Sequence, residues 1–190
     1  MGKRIESFTR GHLMAPEVGV GYASSRSGMR HTVAHQTPAS AVTGQTSFVA
    51  TTPTFLFYKT AAQPRRLILS KWVAMQTGTV AGGPIRFVIG IEETNAYDSG
   101  GTAIVPQCPN MAEAPTPGFT FRYNPTAAAA DASRRYVFSG GVGEVTGQVD
   151  TFDFGDSIMI EGAGSIAIYT YAAATGPSWF VHFEVIEEDE

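Results

Sequence analysis

The chain has 190 residues, of which 43% are hydrophobic and 16% charged, with a formal net charge of −4. That is enough for one domain with a substantial core and short for two, and the charged share falls well below the roughly 25% of ordinary soluble domains. The single cysteine, Cys108, excludes an intrachain disulfide framework, and no run approaches the ~20 apolar residues of a membrane span.

Charge is unevenly placed. Residues 1–45 hold five bases (Lys3, Arg4, Arg10, Arg26, Arg30) against two acids, Glu6 and Glu17, and the remainder holds eight bases against fifteen acids. This first stretch has neither a helical nor a strand period and is spread with Gly, Ser, Thr, Ala and His. It predicts an extended arm over 1–45 that gains order by lying on another subunit, because it lacks the apolar area to offset its ordering entropy. The leading bases have no apolar run behind them, as a signal peptide requires, and Glu6 stands where a myristoylation site needs Ser or Thr. The expectation is a protein made in a reducing cytosol.

From Thr46 the texture turns β-like, which sets the domain at 46–190. Residues 46–50 and 54–60 read as strands, with Phe55 and Phe57 on one face and Leu56 and Tyr58 on the other. Leu67, Leu69, Val73 and Met75 recur at a period of two, and Ile85, Phe87, Ile89 and Ile91 do the same after a Gly- and Pro-rich link. These two runs are expected to pair as a long antiparallel ladder. Residues 95–117 form a turn-rich excursion with a strand at 102–105. Residues 118–123 put Phe119, Phe121 and Tyr123 on one face. Residues 124–135 allow a short helix or a small apolar loop. Further strands begin at Tyr136 and cover 157–161, 165–172 and 178–186, the last with Trp179, Val181, Phe183 and Val185 on one face. Eight to ten short strands separated by turn signals, with almost no helix, predict an all-β antiparallel sandwich, best matched by an eight-stranded jelly roll.

Motifs of known chemistry are sparse. Gly162, Gly164 and Ala167 fit a dinucleotide-loop spacing, but a strand follows where that site needs a helix, so a turn is the reading. His31 and His35 are four apart, a metal-ligand spacing only on a helix, and no Cys or acid stands beside them. Asp150, Asp153 and Asp156 recur every third residue; ordinary turn chemistry accounts for them, with a loop calcium site as the competing reading. No catalytic set, cofactor or metal site is assigned. A basic arm on an acidic neighbour explains the charge split more simply than nucleic acid does.

The runs LILSKW, IRFVIGIEETNAYDSGGTAIVP and SWFVHFEV, in that order, resemble small virion proteins of tailed bacteriophages over about residues 46–188. The resemblance implies a jelly-roll cement or decoration protein of the phage head, and no individual residue role carries over. It leads to the expectation of a non-enzymatic protein on the capsid exterior, a homotrimer whose partners are the major capsid protein and copies of itself. Lys3, Arg4, Arg10, Arg26, Arg30, His31 and His35 of the arm would contact neighbouring subunits. The alternatives are another virion role (head-fibre base, minor capsid or tail protein) and a carbohydrate-binding module using Tyr97, Tyr123 or Trp179.

Overall fold

The computed structural model describes residues 29–34, 40–60, 65–77, 83–109, 116–130, 132–142, 147–155 and 157–189. Among these the chain forms strands and no helix: β1 (Arg30–Ala34), β2 (Val42–Thr43), β3 (Phe55–Lys59), β4 (Arg65–Gln76), β5 (Ile85–Glu92), β6 (Tyr97–Ile104), β7 (Thr120–Ala127), β8 (Arg135–Val142), β9 (Val149–Asp153), β10 (Met159–Ile160), β11 (Gly164–Tyr171) and β12 (Ser178–Asp189). All the ladders between them are antiparallel.

Both sheets have six strands; the one only four rows wide, called the smaller sheet, is built on the long β12–β4 pair, with β1 and β2 beside β12 and β9 and β10 beside β4. Each outer row is one edge interrupted once. Ala34 stands opposite His182 and Val42 opposite Trp179 on one side; Asp153 faces Lys71 and Met159 faces Ile68 on the other. The larger sheet runs β6-β7-β3-β11-β5-β8. The two sheets pack face to face as a β-sandwich, which is the predicted class. A jelly roll folds eight strands as two Greek keys. Here the β6–β7 hairpin extends the larger sheet beyond β3, and β1 and β12 widen the smaller one. The ladders therefore establish the sandwich rather than that particular wiring.

Alternation builds the core. Trp179, Val181, Phe183 and Val185 of β12 all face inward and are buried, as the period of two predicts. Across the gap, Phe183 meets Phe57 edge-on with centroids 5.2 Å apart, and Trp72 meets Phe87 at 5.0 Å. Each such side chain contributes roughly 1.5–3 kcal/mol by leaving water. Phe55 and Phe57 join this core, whereas Leu56 lies in a second buried cluster on the opposite face of β3, with Tyr58 packed against it.

Several expectations are corrected. β4 and β5 do not pair: β4 bonds β12, β9 and β10, and β5 bonds β11 and β8, so the link after Gln76 carries the chain from one sheet to the other. Within β4 the inward set is Leu67, Leu69, Trp72 and Ala74 rather than Val73 and Met75. The register against β12 jumps from Lys71 to Leu69, and the extra residue, Ser70, reverses the phase beyond it. Residues 46–50 form turns and irregular backbone instead of a strand. The helix allowed at 124–135 is replaced by β7 continuing through Pro125 to Ala127; Asn124 adopts φ 48° and its N–H bonds the Thr54 carbonyl at 2.8 Å. Residues 30–34 and 42–43, expected in the arm, are strands of the smaller sheet.

Candidate interaction surfaces

Of the arm residues expected to contact neighbours, Lys3, Arg4, Arg10, Arg26 and His35 lie outside the described residues. Arg30 and His31 are on β1 and engage their own chain. The Arg30 guanidinium pairs with Glu184 of the adjacent strand. His31 is fully buried, with Nε2 2.8 Å from Glu187 Oε2, an ion-pair distance without hydrogen-bond alignment. Its ring meets Phe119 edge-on at 5.6 Å. Glu187 Oε1 accepts the Gly118 N–H at 2.9 Å, and Arg65 Nη1 stands 3.9 Å from Oε2. One buried carboxylate thus joins β1, β4, β12 and the start of the β7 segment. His31 and Val33 point inward on a strand of only five residues, too short for their alternation to register as a period in the surrounding stretch.

A second buried polar centre lies on the outer face of the larger sheet. Arg134 Nε and Nη2 donate to Glu92 Oε2 and Oε1 at 2.8 and 2.9 Å, and Nη1 donates to the Ala50 carbonyl at 3.0 Å. The Tyr169 hydroxyl donates to the same carbonyl at 2.9 Å. Burial pushes the Tyr169 hydroxyl up to about 12 against the opposing pull of the Arg134 cation. For Arg134, burial acts to lower the pKa, and the Glu92 hydrogen bond with nearby charges overcomes it, leaving the guanidinium above its ordinary value. The pair pins residues 46–52 and the start of β8 onto the sheet. Sequence reading passed over it because Glu92 and Arg134 are far apart in the chain.

The other candidates separate. Asp150 faces the core side of β9 and Asp153 the solvent side, as residues three apart on a strand must. Asp153 Oδ1 caps a turn by accepting the Gly155 N–H at 3.0 Å, and Asp156 is outside the described residues. Among the described residues no group of three or more His, Cys, Asp or Glu is placed to hold a metal. Trp179 is wholly buried with its indole N–H donated to Thr170 Oγ1 at 3.1 Å. Tyr97 is stacked on Tyr58 at 4.9 Å and carries the Arg122 guanidinium over its ring at 4.6 Å. Tyr123 is half-buried against the core. A shallow groove of about 330 Å³ runs between Phe48 and Tyr171, with Arg86 and Pro84 on its wall.

The long sides of the sandwich differ. Beside β1, Thr32 and Gln107 exchange backbone hydrogen bonds of 2.7 and 2.8 Å, and Gln45 exchanges bonds with Thr170 and Ala172 where the chain leaves β2. Opposite, β8 has β5 as its ladder partner and β9 has β4, and among the described residues no ladder joins β8 to β9. Phe138, Phe152 and Phe154 fill the seam between these edges, half-buried, with Phe138 5.8 Å from Phe152 and 5.6 Å from Phe154. Val137 of β8 and Val149 of β9 are 44% and 57% exposed on these two strands, whereas Tyr136, 50% exposed, turns onto the outer face of the larger sheet with its ring 5.6 Å from Phe48. An edge that is apolar and unpaired is a template for another chain.

No sequence-family profile matches this chain, and no curated protein is significantly similar to it.

Proposed function

We propose that the chain is a non-enzymatic structural virion protein that binds a phage capsid from outside and reinforces it, its basic leading segment contacting the major capsid protein. The observation that carries this reading is the anchoring of that segment's base. β1 is laid along β12, the Arg30–Glu184 and His31–Glu187 pairs lock it there, and the Met29 carbonyl accepts the Glu187 N–H at 2.8 Å. Tension on residues 1–28 would pass directly into the central strand of the smaller sheet. An extended segment offers many contacts per residue, at an ordering cost recovered only in the assembly. The jelly-roll wiring, the trimer and the exterior position belong to the same proposal.

The test follows from where the anchor lies. Deleting residues 1–28 should leave a folded body that no longer decorates heads lacking the native protein, whereas full occupancy by the truncated chain would overturn the reading. Deleting residues 1–40 also removes β1 and leaves Glu187 without His31, so it should weaken folding as well as binding. The carbohydrate-binding alternative keeps one specific feature, the groove beside Phe48, Tyr171 and Arg86. A glycan array on the purified chain and on Phe48→Ala tests it.

A further inference from the structure

We infer that the β8–β9 side is where one copy of this chain meets the next, β8 of one against β9 of its neighbour. Among the described residues both strands end their sheets without a further ladder, three half-buried phenylalanines lie between them, and Val137 of β8 and Val149 of β9 are exposed apolar side chains on the two edge strands. β8, RYVFSGGV, has neither a proline nor an inward charge to blunt its edge; its one protective feature is a bulge against β5 that leaves Val137 without a register partner. The charges choose the partner. Exposed Arg135 opens β8, whereas the β9–β10 row carries exposed Asp153 at the end of β9 and Glu161 beyond β10, the latter 61% exposed and 3.3 Å from Arg66. Antiparallel addition of one copy's β8 to another's β9 sets Arg135 against Asp153 and brings Val137 over the neighbour's apolar edge. A β8–β8 contact would leave the acidic row unused.

The contact is head-to-tail, so it closes into a ring or runs on as a fibre. It rests on the proposed function only in supplying the self-association that reading requires, and it is tested without any virion. The full chain is followed by sedimentation across concentration, beside Arg135→Glu, Val137→Lys, and Arg135→Glu combined with Asp153→Arg, each first checked for native thermal unfolding. Assembly by the wild type, at least a tenfold rise in the concentration needed by either single variant, and recovery by the charge-swapped double variant are expected. A wild type that stays monomeric at high micromolar concentration overturns the inference. So does an assembly indifferent to both single variants, or one that the double variant fails to restore. Loss of head binding by the 1–28 deletion with self-association intact would separate this contact from the anchor.

Discussion

Beside β1, a fully buried histidine and carboxylate, two backbone hydrogen bonds to Gln107 and a carbonyl bond from Met29 close the sandwich. Beside β8 and β9, the same core reaches the surface through half-buried rings, and among the described residues no bridge like Thr32–Gln107 finishes either strand. Both sides use the same alternation of side chains. They differ in whether polar groups finish the edge, and that decides which side is internal structure and which is available to another chain.

The largest expected effect tests the closed side. Glu187→Ala strips the acceptor from Gly118 and leaves His31 buried beside a void. Breaking a buried pair in this way costs about 3–5 kcal/mol, and at roughly 2–4 °C per kcal/mol the melting temperature should fall on the order of 10 °C. Glu187→Gln keeps an acceptor for the Gly118 N–H and should lose less. If Glu187→Ala melts with the wild type, the closed side is not held by this carboxylate and the contrast between the two sides fails.

The start of β8 is tied down by Arg134, Glu92 and Tyr169, so the open side is pinned at one end. Tyr169 supplies a pH signature. Burial raises its folded pKa from the ordinary 10.0 of a tyrosine to about 12, so the folded chain holds this proton more tightly than the unfolded one. The resulting stability is fully present below about pH 10 and is lost as pH rises towards 12, by at most about 2.7 kcal/mol at 1.36 kcal/mol per unit. Tyr169→Phe should cost about 1 kcal/mol at neutral pH and flatten the alkaline limb of the stability curve. An unchanged limb in that variant would assign it to other groups.

How far the sequence foretold this depended on whether a signal was local. The inward set of β12 and the two-faced pattern of β3 could be read directly, because alternation within one strand needs no partner. The phase reversal at Ser70 could not, since a bulge is defined against the opposing strand, and Val73 and Met75 consequently looked like core. The pairing of β4 with β12 rather than β5 depended on contacts over a hundred residues away. The polar centres failed for the same reason: His31 needs Glu187, and Glu92 needs Arg134, each remote in the chain. Among the candidate ligands, the spacing of Asp150 and Asp153 already implied opposite faces once the segment was recognised as a strand.

The finest comparison sets one substitution on each side. Val33 is 1% exposed, so Val33→Ala removes two buried carbons' worth of packing and should cost about 2 kcal/mol including the cavity left behind. Val137 keeps nearly half its surface in water, so Val137→Ala should move the folding free energy of the isolated chain by no more than about 0.5 kcal/mol. Chemical denaturation at low protein concentration measures both, and the slope of each curve should match the wild type. Repeated at a concentration where copies associate, the Val137 variant should lose additional stability, because mass action then adds the contact to the folding equilibrium. A Val137→Ala cost of 2 kcal/mol in the dilute chain would mean that this edge is already covered by its own polypeptide. The open side would then be as closed as the other.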